Sequence, residues 1–265
     1  MIFKIFPHPD LDKIVDYYWI DKIENTSVKI LPDGTTSIII NIGGTISIVD
    51  LNGDFREFPD NLIIGPHKKY FILKMNKGTH FIGIKFKQGG AYHFFKIPMM
   101  QFSNKIISLS EIMRRESEQL NDALIKAEKA EDIKKILDRY LLMKIDLLNS
   151  TFDIVDFTLN KLKVNEPPEL IKNLCIAAKI SNKHMILLFK KKVGLSPKLI
   201  QRINKFVKVI EILHEQEQVD WSEIAFLCHY YDQAHLINEF KCFSGLTPKE
   251  YFENENTNGL RVKFE

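Results

Sequence analysis

The stretch Ser181 to Lys198, SNKHMILLFKKKVGLSPK, is written a second time fifty-one residues later as Asp232 to Lys249, DQAHLINEFKCFSGLTPK. His184 falls on His235, Phe189 on Phe240, Lys190 on Lys241, and Gly194-Leu195-Ser196-Pro197 on Gly245-Leu246-Thr247-Pro248. An internal repeat of this kind is one structural unit used twice. In each copy a short polar residue able to accept from free backbone N–H groups, Ser181 or Asp232, opens a helix of about three turns. A glycine able to take positive φ closes it. A Ser-Pro or Thr-Pro step then starts the next helix with proline at its first position, where the missing N–H costs nothing. Another short helix precedes each copy: Glu169 to Ala178 before the first, and before the second a segment capped by Asp220 with Glu223. Each unit therefore reads helix, tight turn, helix, the arrangement that presents its second helix to a DNA groove.

Between the copies, Pro197 to roughly Gln216 forms a helix about 30 Å long at 1.5 Å per residue. One turn of DNA is about 34 Å, so such a rod can hold two reading heads on one face of the duplex. The charge distribution points the same way. From Leu170 to Ile210 there are ten basic residues and no acidic one, whereas from Glu211 to the end four basic residues face eleven acidic ones. A forty-residue basic block is an electrostatic footprint for a polyanion. If Met185, Leu188 and Phe189 face the core, Lys183, Ile186, Leu187 and Lys190 face out. The aliphatic pair at 186 and 187 cannot hydrogen-bond a base edge, but it can touch thymine methyls or another protein. Gln233, His235 and Asn238 are the better hydrogen-bonding set, because Gln and Asn pair with N6 and N7 of adenine. The candidate DNA contacts are Asn182, Lys183, Ile186, Leu187, Lys190, Lys191 and Arg202 in the first unit, and Gln233, Ala234, His235, Asn238 and Lys241 in the second. Phosphate contacts from Lys183, Lys190, Lys191, Lys192, Arg202 and Lys205 predict a slope of log K against log salt near −5, at about −0.9 per phosphate.

The chain has 265 residues, 45% of them hydrophobic, and a formal net charge of +3. That length predicts two domains. No run of eighteen apolar residues occurs, and the N-terminus MIFKIFPHPDLDK meets Pro7, His8 and Asp10 before any long apolar stretch. Neither a membrane span nor a signal peptide is expected. Cys175, Cys228 and Cys242 lack CxxC spacing and leave one over, which suits a reduced cytoplasm and buried thiols.

In the N-terminal part, Leu11, Ile14 and Val15 predict a short helix over Asp10 to Tyr17. From Val28 the period becomes that of strands: Ser37 to Ile42, Thr45 to Leu51, Leu62 to Ile64, Tyr70 to Met75 and His80 to Phe86. Pro32-Asp33-Gly34, Gly43-Gly44, Asn52-Gly53, Gly65-Pro66 and Asn76-Lys77-Gly78 separate them. Short strands with glycine turns predict a small antiparallel barrel or sandwich. Ser108 to Leu148 reads as a helical hairpin, Ser108 and Glu111 fitting a capping box. Ile133, Ile136, Leu137, Tyr140, Leu141, Ile145 and Leu148 form one apolar stripe, for packing on the barrel or for dimerisation. Phe152 to Leu162 is the next helix, stopped by Val164-Asn165-Glu166-Pro167-Pro168. The fold class is thus α+β in two domains: a β domain over 1–112, a helical hairpin or linker over 113–150, and an all-α double helix-turn-helix domain over 151–265.

Two resemblances add to this reading. Pro9-Asp10-Leu11, Tyr17-Tyr18-Trp19, Leu31-Pro32-Asp33-Gly34, Asn41-Ile42-Gly43-Gly44, Gly65-Pro66 and Gly83 to Ala91 resemble a cupin-like N-terminal domain found ahead of certain bacterial regulators. Metal cupins do oxygen chemistry, but their sites use two histidines one residue apart with a nearby carboxylate. His67, His80 and His93 stand thirteen residues apart, so no metal, cofactor or catalytic residue is expected. Residues about 152 to 253 resemble the DNA-binding domain of AraC/XylS transcriptional regulators. Ala177, Ser181, His184, Phe189-Lys190-Lys191, Val193 to Pro197, Arg202, Ile224-Ala225, Tyr230, Asp232-Gln233, His235, Phe240-Lys241, Gly245 and Thr247-Pro248 carry the match. It implies a sequence-specific regulator reading two adjacent major grooves. The β domain would be sensor or dimerisation module, with double-stranded DNA, RNA polymerase, a small-molecule effector and a second copy through 110–150 as partners. The sequence departs from that pattern at Leu187 and Asn238, where the family usually has arginine, and at His229, where it usually has glycine. A degenerate protein acting through protein contacts is the alternative.

Overall fold

The structure, a computed structural model, describes residues 3–23, 26–49, 54–58, 61–76, 78–145, 153–163, 171–254, 257–258 and 261–264. The N-terminal strands are β1 (Phe3–Ile5), β2 (Val15–Ile23), β3 (Thr26–Ile30), β4 (Ser37–Gly43), β5 (Ile46–Val49), β6 (Phe55–Phe58), β7 (Leu62–Ile64), β8 (Phe71–Met75) and β9 (Thr79–Phe86). Helix α1 (Ala91–Phe95), a 3-10 turn at Met99–Gln101 and strand β10 (Ile106–Ser108) follow. Helices α2 (Ser110–Ile125), α3 (Ala130–Lys144), α4 (Ile154–Lys161), α5 (Ile171–Ala177), α6 (Asn182–Lys192), α7 (Pro197–Glu215), α8 (Trp221–Leu227), α9 (Gln233–Ser244) and α10 (Pro248–Phe252) come next. Strands β11 (Thr257–Asn258) and β12 (Arg261–Phe264) complete the chain.

Among the described residues the strands form two antiparallel six-stranded sheets, ordered β1-β2-β9-β4-β7-β10 and β11-β12-β3-β8-β5-β6. The first is buried on both faces. Trp19, Ile39, Leu62 and Phe81 pack against Val28, Ile46, Leu73 and Met75 of the second sheet. Tyr18, Ile38, Ile40, Ile82 and Ile84 point the other way, into a core shared with Phe94, Leu120, Leu124, Leu137 and Leu141. Burial on both faces explains why Ile38, Ile39 and Ile40 of β4 are apolar at successive positions rather than in alternation.

The helix expected over Asp10 to Tyr17 is replaced by a 3-10 turn at Pro9–Leu11 and the start of β2. Tertiary contacts override the local period here. Tyr18 and Trp19 must reach opposite cores, which only period-two geometry permits. Trp19 lies across its register partner Gly83 of β9, where an added Cβ would stand 2.1 Å from the indole.

The stripe on α3 turns inward: Ile133, Leu137, Leu141 and Ile145 are buried in the core against the β domain, and Leu148 lies outside the described residues. A dimer through 110–150 would have to use the outer side of the hairpin, where Ile112, Ile125 and Met143 are exposed. The tail, read from sequence as part of the helical domain, returns to the β domain, where β12 pairs antiparallel with β3, Arg261 opposite Ile30 and Phe264 opposite Ser27. The segment Val164 to Pro168 lies outside the described residues.

The two domains share packing. Leu31 and Tyr70 of the β domain join the core of the helical domain. Gln88 donates to the Asp33 carbonyl (2.9 Å) and to Asn204 of α7 (2.8 Å), and Asn204 donates to the Leu162 carbonyl (3.1 Å). Gly194, at φ +90°, sits where a Cβ would come 2.7 Å from Pro66 and 2.9 Å from the Met99 carbonyl. Gly194 thus serves two ends, a left-handed helix stop and a close approach of the β domain.

Candidate nucleic-acid interface

Both units form as the repeat predicts. Ser181 accepts from the His184 N–H (3.1 Å) and Asp232 from the His235 N–H (2.7 Å), capping α6 and α9. Gly194 and Gly245 take positive φ after them, and Pro197 and Pro248 open α7 and α10. The turns between the helices of each unit pass through a left-handed residue, Lys179 at φ +54° and His229 at φ +56°. Lys205 donates to the His229 carbonyl, tying α7 to the second turn.

α6 buries Met185 and Phe189, and α9 buries Leu236, Phe240 and Phe243. Asn182, Lys183, Ile186, Leu187, Lys190 and Lys191 are exposed on α6; Gln233, Ala234, His235, Asn238 and Lys241 are exposed on α9. Eleven of the twelve candidate contacts therefore stand open to solvent. The β domain packs behind α6, near its C-terminal end, with the Lys191 ammonium 5.8 Å from the centre of the Tyr92 ring.

Three cations expected to meet phosphate are engaged elsewhere. Arg202 makes a two-pronged pair with Glu239, at 2.7 and 2.8 Å, and its guanidinium lies 5.3 Å from the centre of the Phe243 ring. It fastens α7 to α9, as planar recognition of a carboxylate by arginine does well. Lys192 is buried and donates to Asp153 (2.9 Å) and Asp156 (2.7 Å), the two residues of the α4 capping box. Burial pushes the Lys205 ammonium below its ordinary value, and one of its N–H groups donates to the His229 carbonyl. Periodicity placed Lys192 and Arg202 only within a basic run; no pattern in that run marks which cations find a buried carboxylate.

Sequence reasoning also missed an apolar component of the second unit. Phe226 is 79% exposed, Leu227 45% and Tyr231 92%. The signal was present, because Ile224, Ala225 and Cys228 facing inward leave 226 and 227 outward on a helix. With Ile176, Ile186 and Leu187 of the first unit, both units carry exposed apolar side chains. Among the described residues no three His, Cys, Asp or Glu side chains gather as metal ligands would, and no helix is long and apolar enough to cross a membrane. His67 follows β7, His80 lies in β9 and His93 in α1.

A protein-family profile described as a domain of unknown function (DUF6597) matches residues 3–108. None of the curated proteins compared with the chain matches it. Among solved structures the chain is similar to ToxT from Vibrio cholerae, with 10% identity and a TM-score of 0.49 over 89% of this chain and 97% of that one. It is also similar to the AraC-like transcriptional activator CuxR, with 10% identity and a TM-score of 0.32 over 78% of each chain. A cupin domain of an XRE family transcriptional regulator from Enterobacter cloacae matches 32% of this chain and 93% of its own, with 15% identity and a TM-score of 0.25.

Proposed function

We propose that the chain is a sequence-specific DNA-binding transcriptional regulator of the cytoplasm and not an enzyme. Its two helix-turn-helix units enter adjacent major grooves, and the β domain serves as sensor or dimerisation module. The observation that carries this reading is the pair of capped helices, α6 and α9, keyed into the core by Phe189 and by Phe240 with Phe243, and open to solvent on the opposite side. α6 anchors on phosphates through Lys183, Lys190 and Lys191 and meets thymine methyls with Ile186 and Leu187. α9 discriminates bases with Gln233, His235 and Asn238. RNA polymerase, a small effector and a second copy are the further partners of such a regulator. With Lys192, Arg202 and Lys205 engaged, three phosphate contacts remain from the expected six, and the slope of log K against log salt falls to about −3. Fluorescence anisotropy of the full chain on a duplex pool, from low to high salt, tests this. Lys183→Ala with Lys190→Ala should flatten the slope by about two units. Binding that is absent, or flat across salt, overturns the reading.

Exposed Phe226, Leu227 and Tyr231 favour a second reading, in which the same surface docks another protein. In that case Ile186→Ser, Leu187→Ser and Tyr231→Ser abolish a protein complex while DNA affinity is negligible throughout.

A further inference from the structure

The chain carries a second acid-free block. Between Asn61 and Ser110 stand eight lysines and no aspartate or glutamate. The fold brings part of this block to the reading helices. Gly194, which stops α6, lies against Pro66 and the Met99 carbonyl; Gly245, which stops α9, lies against Tyr70, whose N–H donates to the Phe243 carbonyl (3.2 Å). One loop of the β domain, Pro66 to Tyr70, therefore begins at the end of one reading helix and finishes at the end of the other. Lys68 and Lys69 are exposed between those two contacts.

A neighbouring loop adds two more cations. Lys96 ends α1 and Lys105 follows the 3-10 turn at Met99–Gln101; α1 and that turn both pack on α6, and both lysines are exposed. The two loops are laced together. Gly65 N–H donates to the Lys105 carbonyl (3.0 Å), Asn104 N–H to the Pro66 carbonyl (2.9 Å), and Lys68 N–H to the Asn104 side chain (3.0 Å). A partner would not have to order this backbone, which spares affinity. Lys85 and Lys87 of the same block pair with Asp33 and Asp12. Among the described residues Lys68, Lys69, Lys96 and Lys105 pair with no carboxylate. Together with Lys190 and Lys191 at the end of α6 they make a field of one sign.

Helix length decides what such cations can meet. α6 has 11 residues and α9 has 12, about 16 and 18 Å at 1.5 Å per residue. The major groove is about 12 Å wide, so a helix of that length seated in it ends beside a phosphate backbone. We propose that the β domain is itself part of the DNA-binding surface: Lys68, Lys69, Lys96 and Lys105 neutralise phosphates of the same duplex beside the C-terminal ends of α6 and α9. This rests on the DNA-binding reading above. Lys183, Lys190 and Lys191 alone give a salt slope of about −3, and four further contacts take the full chain to about −6. Contacts to phosphate carry no sequence information, so they strengthen binding to every duplex alike.

The test measures anisotropy of the full chain on a duplex pool across salt, with near-ultraviolet circular dichroism to verify native packing of each variant. Lys68→Gln with Lys69→Gln, and Lys96→Gln with Lys105→Gln, should each reduce the slope by about two units. Lys68→Arg with Lys69→Arg keeps the charge and should keep the slope. Lys126→Gln with Lys135→Gln removes the same charge from exposed positions of the helical hairpin and should leave the slope unchanged. Acetylation by acetic anhydride gives an independent readout: bound duplex should protect Lys68, Lys69, Lys96 and Lys105 several-fold, and Lys126 and Lys135 not at all. A slope near −3 that the β-domain variants leave unaltered, an equal loss in the hairpin variant, or absence of protection overturns the proposal while the helix-turn-helix reading stands. A chain that binds no DNA fails both.

Discussion

The two helix-turn-helix units hold the same frame and differ wherever the frame does not need a particular residue. Phe189 and Phe240 are both fully buried, both helices are capped by a side-chain oxygen, and both stop at a left-handed glycine. Three residues after each phenylalanine the units part. The first places Lys192 in the interior, neutralised by Asp153 and Asp156 of the α4 cap; the second places Phe243 there, its ring tilted against Phe206 with centroids 5.2 Å apart. One interior position is thus filled by an ion cluster in one copy and by an aromatic ring in the other. The first unit borrows carboxylates from outside the repeat, and the second is fastened from α7 by the Arg202–Glu239 pair. A repeat that conserves its caps and turns is free to change what holds each copy to the rest of the molecule.

The most forceful way to break this comparison is to truncate the two phenylalanines. Phe189→Ala and Phe240→Ala should each cost about 3 to 5 kcal/mol in urea unfolding, since both leave a cavity in a close-packed interior. A cost near zero for one of them would mean that the copies do not share a frame.

Lys192→Met sharpens the contrast between ion cluster and ring. Asp153 and Asp156 are partly exposed, so the loss should be about 2 kcal/mol, less than for a fully buried broken pair. The acid side of the stability curve gives an independent reading. Burial works against the charged form of Asp153, but the hydrogen bond and charge of Lys192 outweigh it and hold the carboxyl below its ordinary 3.8. A carboxyl depressed in the folded state binds fewer protons there than in the unfolded state. Its contribution is complete above about pH 4 and is lost as pH falls through the depressed value. Urea unfolding of Lys192→Met between pH 5 and pH 2 should therefore show a shallower acid loss than the parent.

The smallest expected effects concern the outward residues. Gln233→Ala and Asn238→Ala should each cost roughly 1 to 2 kcal/mol on the best DNA site and almost nothing on random duplex. Ile186→Ala and Leu187→Ala should change the preference only where thymine methyls are read. Anisotropy on a selected site and a scrambled one measures the difference. Equal losses on both sequences for Gln233→Ala would end the proposed division between an anchoring helix and a discriminating one.

Where local pattern and tertiary demand agreed, the fold was legible before any coordinates. The repeat, its caps and its proline starts gave α6, α7 and α9 to within a residue or two, and Leu62–Ile64 was read as observed. Where they disagreed, the tertiary demand won. Leu11, Ile14 and Val15 carry a helical period, yet Val15–Ile23 is a strand because Tyr18 and Trp19 serve cores on opposite faces of one sheet. Strands as short as Phe3–Ile5, Ile106–Ser108 and Arg261–Phe264 have too few residues to show a period. At the candidate interface, helical geometry gave the outward faces of α6 and α9 correctly. The same reasoning applied to α8 would have exposed Phe226 and Leu227.

The double helix-turn-helix frame follows from local chain chemistry, because caps, left-handed glycines and helix-starting prolines act over four or five neighbouring residues and need no partner from afar. Which cations are engaged is fixed by contacts between residues distant in the chain. Lys192 finds Asp153 and Asp156 thirty-six or more residues away, Arg202 finds Glu239 thirty-seven away, and Lys205 finds a carbonyl in a turn twenty-four away. Charge is written in the sequence, but its partner is set by distance in space: carboxylates hold Lys192 and Arg202, and a backbone carbonyl holds Lys205.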